Sequence, residues 1–146
     1  MKKSHVSVLI VSAIILGLFI TTAGTPIQKF KNGVYKSESR SKYTHEPYWG
    51  QIRLKIKNDK VVWLKFLIID KEKNEVFGPK YERHYKYTPL YVTQCRNELK
   101  GMDVYKEAFS ESKDMEKVDA ITGATWSYDL LKSTYYAALK KAQNEE

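Results

Sequence analysis

From Gln51 to Lys57 the chain alternates strictly, with Ile52, Leu54 and Ile56 facing one way and Arg53, Lys55 and Lys57 the other. That period of two describes a β-strand with one dry and one wet face. Asn58-Asp59-Lys60 reads as a turn, and Val61 to Ile69 is an apolar run broken only by Lys65. The two strands must pair as an antiparallel hairpin. The near-continuous apolar character of the second predicts a strand in mid-sheet with both faces covered. Gly33 to Ser39 reads as an earlier strand, followed by a polar, aromatic loop from Ser41 to Gly50.

Lys71 to Asn74 is a second turn, and the tyrosine-rich stretch from Glu75 to Lys86 has no period that assigns it. Thr88-Pro89 has the pattern of a helix cap followed by proline at the first helical position. A helix from there to about Lys100 places Val92, Cys95 and Leu99 on one face, and a separate short helix spans Asp103 to Ser112. A final helix runs from Ser127 to about Gln143, with Tyr128, Leu131, Tyr135, Ala138 and Leu139 on one stripe. The predicted class is α+β, an antiparallel sheet with helices packed on one side and a helix at the C-terminus.

The first 24 residues stand apart from this pattern. Met1-Lys2-Lys3 is basic, Val6 to Ile20 is apolar, and Thr21-Thr22-Ala23-Gly24 is small. This is the layout of a secretory signal peptide, and its apolar stretch also approaches the roughly 20 residues of a membrane anchor. Both readings place the rest of the chain outside the cytoplasm, after a linker at residues 25–32. The single cysteine, Cys95, excludes an internal disulfide, so residues 33–146 must be held together by their core. A net charge of +8 raises the question of nucleic acid, but the lysines are scattered and the chain is read as exported. A solvated basic surface suited to anionic lipid or cell-wall polymer fits better.

The segment with the most chemistry in it is Val118-Asp119-Ala120-Ile121-Thr122-Gly123-Ala124-Thr125-Trp126-Ser127, just ahead of the final helix. Gly123 permits a positive φ, and Gly123-Ala124 lets another molecule approach the backbone. Thr122, Thr125 and Ser127 add hydroxyls, while the first turn of a helix offers unpaired N–H groups and the positive end of its dipole. Such a place suits a phosphate. The competing reading is a helix start capped by Thr125 or Ser127, with nothing bound.

Asp119-Ala120-Ile121-Thr122-Gly123-Ala124-Thr125 matches the pattern Asp-x-x-(Ser/Thr)-Gly-Ala-(Thr/Ser) and resembles the flavinylation signature of FMN-binding domains. That family includes flavin-carrying components of the sodium-translocating NADH:quinone reductase and of the related Rnf electron-transport complex. Gly33-Val34-Tyr35 and Tyr48-Trp49-Gly50 are similar to segments of the small membrane-attached "major membrane immunogen" members. The resemblance spans about Lys31 to Ala142. It implies that a flavin transferase joins FMN to the Thr125 hydroxyl as a phosphoester, and that Asp119 has a conformational or recognition role. It further implies an electron-transfer protein working with membrane electron-transport components. Two departures stand out: Trp126-Ser127-Tyr128 follows the motif, and Asp70 to Gly78 replaces a His-x-Glu-Thr-Pro-Gly loop. They leave covalent and noncovalent FMN both open, with a cell-surface binding module as the alternative function.

A flavin ring needs a flat apolar wall, for which Trp126, Trp49 and Tyr48 are candidates, whereas Trp63 and most tyrosines are expected in the core. His45, Glu46 and His84 have no metal-ligand spacing, and Cys95 reads as a small core residue.

Overall fold

The computed structural model describes residues 29–42 and 45–143. The leader therefore lies outside the described residues. Among the described residues no helix is long and apolar enough to cross a membrane. Strands β1 (Gly33–Arg40), β2 (Tyr48–Lys57), β3 (Lys60–Asp70) and β4 (Glu75–Val76) form one sheet in the order β1-β2-β3-β4, with every pairing antiparallel. Helices α1 (Pro89–Ser112) and α2 (Thr125–Ala142) follow, and short 3₁₀ turns occupy Tyr81–Tyr85 and Met115–Lys117. The α+β class with a C-terminal helix is the one the sequence predicts.

The central hairpin turns on Asn58 and Asp59, whose φ angles of +51° and +60° are those of a type I′ turn, matched to the right-handed twist of the strands. Lys60 already belongs to β3. Ile52, Leu54 and Ile56 are buried, and the basic residues between them are exposed. Two expectations fail on β3. Its apolar run is not covered on both faces, and Trp63 is 46% exposed instead of filling the core. The reason is that α2 packs on one face of the sheet, which leaves the face of β3 that carries Trp63 and Lys65 open to solvent. An irregularity in the pairing at Lys55/Ile56 also leaves Val62 exposed.

β2 begins at Tyr48, further upstream than the alternation suggests, which takes Tyr48-Trp49-Gly50 out of the loop. Gly50 has a packing reason. A Cβ there would lie 3.0 Å from Thr134 Cγ2 and 3.2 Å from the Leu130 carbonyl oxygen, so α2 rests directly on the β2 backbone. α2 spreads across β1 and β2, while α1 packs on α2 and the Tyr81–Tyr85 turn. Upstream of β1, Lys31 N donates to the Ala142 carbonyl at 2.8 Å, and Phe30 N donates to Asp59 Oδ1 at 2.7 Å. The hydrogen bonding of the domain thus begins before Gly33, inside the segment read as a linker.

The two helices expected between Pro89 and Ser112 are one continuous helix of 24 residues. It starts at Pro89 as read, although the Thr88 side chain makes no capping bond. Its buried stripe is Cys95, Glu98, Met102, Tyr105 and Phe109, whereas Val92 is only partly covered. Gly101 passes through the middle of the helix despite a propensity cost of about 1 kcal/mol. A Cβ on Gly101 would lie 2.2 Å from the Cβ of Ala124, so its bare backbone is what lets α1 reach the residue that precedes α2. Gly101→Ala is therefore expected to destabilise the fold by about 1–3 kcal/mol through overpacking. Adding Ala124→Gly should restore part of the loss in a denaturant melt, and a double variant no more stable than G101A would refute the contact.

Candidate functional site

The site is built on the turn that leads into α2. Ala124 N donates to the Ile121 carbonyl at 3.0 Å, closing a four-residue turn with Gly123 in its third position. The Gly123 φ of +84° is what a type II turn requires there. α1 holds both ends. The buried Tyr105 hydroxyl donates to the Ala124 carbonyl at 2.9 Å and accepts from Ile121 N at 3.0 Å.

α2 begins at Thr125, earlier than its periodicity suggests, and Ala124 occupies the cap position without a side-chain cap. Neither Thr125 nor Ser127 caps the helix. The acceptor comes from α1 instead: Glu98 Oε2 takes the Ser127 N–H at 3.0 Å, and Glu98 is also bonded by the Trp126 backbone. The Ser127 hydroxyl donates to the Ala124 carbonyl at 3.1 Å. The positive end of the helix draws a carboxylate to this point. Burial nonetheless raises the Glu98 carboxyl above the usual glutamate range, and the Ser127 and Trp126 hydrogen bonds offset only part of that. Two of the N–H donors that the sequence offered to a phosphate, those of Trp126 and Ser127, are thus taken up by Glu98.

Beside this helix start opens a cavity of about 450 Å³ between α1 and the first turn of α2. Its walls include Tyr48, Phe77, Tyr85, Tyr91 and Trp126, with Thr125 at the rim. The Trp126 indole is held by its Nε1–H, which lies 3.0 Å from Glu46 Oε2 and 3.3 Å from Ser41 Oγ. Its ring meets Tyr48 at 5.0 Å and Phe77 at 5.4 Å, both near edge-to-face. Behind the wall runs a chain of hydroxyls. Tyr85 and Tyr48 are 2.7 Å apart, Tyr48 and Tyr81 are 3.1 Å apart, and Tyr81 donates to the buried carboxylate of Asp70. Asp70 only accepts, so it takes the single Tyr81 proton and leaves Tyr48 as donor to Tyr81. Burial pushes the Tyr48 and Tyr81 hydroxyls well above the usual tyrosine range, so both stay protonated.

The residues singled out from the sequence divide by position. Thr125 is exposed, and it lines the cavity together with Gly123 and Trp126. Ala124 and Ser127 are buried beneath, against α1. Asp119 and Thr122 are exposed and do not line the cavity. Trp49 is on the far side of the sheet, under Lys71 Nζ at 3.8 Å from its ring centroid. Strand alternation explains this, because Tyr48, Gly50 and Ile52 share the inner face and Trp49 cannot. Sequence reading missed Glu98 and Tyr105, although a glutamate on the buried stripe of α1 was a visible signal. The Cys95 thiol is buried and raised in pKa by desolvation, with Glu82 and Glu98 adding to the effect, in keeping with a core residue.

Folding favours the protonated form of Glu98, so its contribution is intact below the ordinary glutamate value of 4.5 and declines as pH rises through the elevated native pKa. Glu98→Gln keeps an oxygen for the Ser127 N–H and removes the titration. Relative to the parent protein, its stability should improve as pH rises above the ordinary glutamate value and level off once the native carboxyl has ionised. Urea melts at a series of pH values check this, and a stability difference that does not change with pH refutes it.

No protein-family model matches the chain, and no curated protein matches it. Among solved structures, it is similar to the crystal structure of the CPE2226 protein from Clostridium perfringens, at 22% identity and a TM-score of 0.52. That alignment covers 77% of this chain and 88% of the other. An NMR structure of a Clostridium thermocellum protein aligns over 80% of this chain and 99% of its own, at 15% identity and a TM-score of 0.37. The first of these likenesses bears on the fold alone.

Proposed function

We propose that this chain is an extracytoplasmic FMN-carrying protein, with the cofactor joined to Thr125 and its ring in the aromatic cleft, and that it acts as an electron carrier. The observation behind this reading is the exposed Thr125, which closes the Asp119–Thr125 motif at the rim of a cavity of about 450 Å³ walled by aromatic rings. That volume lies within the roughly 300–1,000 Å³ usual for cofactor-sized ligands. Tyr48, Phe77, Tyr85, Tyr91 and Trp126 would hold the ring, and Asn97 and Gln94 on α1 offer amide groups for its polar edge. When bound, FMN supplies the electron chemistry, and the protein contributes binding, orientation and exclusion of water.

The state of the helix start favours attachment over simple binding. A free FMN phosphate would have to displace Glu98 from the α2 N–H groups, or lie beside a carboxylate. An ester on Thr125 is a phosphodiester with a single negative charge, and its covalent bond at the exposed hydroxyl holds it without the N–H groups that Glu98 occupies. The reaction fits a transferase that uses FAD: Thr125 Oγ1 attacks the FMN-side phosphorus, the P–O–P bond breaks, AMP leaves, and the threonine proton passes to a base. Gly123 at the surface gives such an enzyme room to reach the hydroxyl. The further partners in this reading are membrane electron-transport components, with membrane association through the N-terminus.

The test is expression alongside a flavin transferase, followed by mass spectrometry of the denatured protein. One FMN-sized adduct is expected on the parent and on Thr125→Ser, and none on Thr125→Ala. Yellow colour that is lost on denaturation, with no adduct, would replace the ester with noncovalent FMN. A colourless product would overturn the flavin reading.

A further inference from the structure

The sheet face turned away from α2 carries an arrangement that the flavin reading does not use. Strand register sets Lys36 opposite Arg53 and Arg53 opposite Lys65, so three exposed cations form a row across β1, β2 and β3. With strands about 4.8 Å apart, neighbouring cations lie within one Debye length at physiological salt. Like charges directly opposite one another oppose strand pairing. No acid stands in the row. Glu38, further along β1 on this face, is bound by Lys71 at 2.8 Å and by Gln51 at 2.5 Å. Lys141 reaches the same edge, its Nζ 2.8 Å from the Lys36 carbonyl oxygen, and a shallow depression is lined by Lys36, Arg53, Lys65 and Lys141 together with Glu38 and Gln51.

The next row is Val34, Lys55 and Trp63. Val34 is 53% exposed and Trp63 46%, and Val62 beside them is 40% exposed. A soluble polyanion would be matched by the cations alone and would leave this outward tryptophan without a purpose. A lipid surface uses both kinds of residue: phosphates for the cations, and the headgroup boundary for an amphipathic ring. The position along the chain agrees, because the apolar stretch Val6–Ile20 lies a short way before Gly33, where the chain enters the sheet beside Val34.

We infer that this face docks on an anionic lipid bilayer, with Lys36, Arg53 and Lys65 against headgroup phosphates and Trp63 and Val34 at the headgroup boundary. The claim is independent of the flavin. It is tested with the full chain reconstituted into phosphatidylcholine vesicles with and without phosphatidylglycerol, all carrying brominated acyl chains as quenchers. The readout is quenching of the Trp63 emission, taken as the difference between the parent and Trp63→Phe. Because it reports on one side chain, attachment through the leader does not produce it.

Quenching should appear with the anionic lipid and fade in high salt. In Arg53→Gln/Lys65→Gln, which keeps exposed side chains at both positions, the docked-to-free ratio should fall by roughly tenfold or more. A melting temperature matching the parent's shows that the variant remains folded, and Lys55→Gln/Lys57→Gln serves as a second charge-removed variant if it does not. Equal quenching in neutral and anionic vesicles overturns the inference, as does insensitivity to charge removal. Loss of the signal on adding polyphosphate at matched charge and ionic strength, with no recovery at higher lipid, assigns the face to a soluble polyanion and overturns it too.

Discussion

The start of α2 is held by a carboxylate that belongs to α1, and the geometry of the motif follows from that contact. Glu98, Gly101 and Tyr105 share one face of α1, and each supplies something different. Glu98 accepts from the first turn of α2, Gly101 withholds a side chain so that Ala124 can approach, and Tyr105 bonds both ends of the turn from Ile121 to Ala124. A local cap is absent because alanine, buried against Gly101, occupies that position. The capping role therefore moves to a residue 29 positions earlier in the chain. The rotation and depth of α1 against α2 then decide where Thr125 emerges.

This device has an electrostatic consequence. Helix N-termini attract anions because their N–H groups are unpaired and their dipole is positive. Here both features are spent on an internal carboxylate whose ionisation burial opposes. Glu98 occupies N–H groups at the positive end of α2, while Thr125 stays exposed at the rim of the cavity. A motif that looks like a phosphate cradle on paper thus has donors of its helix start occupied by Glu98 and leaves one hydroxyl, that of Thr125, exposed.

The legible parts of the sequence were those governed by local geometry. The alternation from Ile52 to Ile56 and the turn at Asn58-Asp59 gave the hairpin, because a half-buried strand writes its period into every residue. The same rule carried back to Gly50 and Tyr48 would have put Tyr48 on the inner face and Trp49 outside. The loop reading stopped it too early. β3 misled because an apolar run looks the same whether one face of the sheet is covered or both, and only the packing of α2 on a single face tells them apart. The division of α1 into two helices missed the use of Gly101, which is contact with Ala124 across the helix pair. The roles of Glu98 and Tyr105 depend on partners distant in sequence, so no local pattern could name those partners.

The aromatic wall and the turn after β3 depend on one buried group. Asp70 Oδ1 accepts the Glu72 and Lys73 N–H groups at 2.9 Å each, and Oδ2 binds Lys73 Nζ at 3.0 Å as well as the Tyr81 hydroxyl. Burial alone would raise its pKa, but the Tyr81 and Lys73 bonds outweigh that and leave it below the usual aspartate range. Its contribution is therefore complete above the ordinary aspartate pKa and is lost as pH falls through the depressed native value. Through Tyr81 and Tyr48 the same carboxylate orders the hydroxyls behind the cavity, so the wall holds its shape by directional bonds as well as by packing. A ring seated there would meet a surface already fixed before binding, which lowers the entropic cost of ordering it. The cavity wall is ordered from the end of β3, and the placement of Thr125 at its rim is set from α1. Two separate parts of the fold thus converge on the position of Thr125.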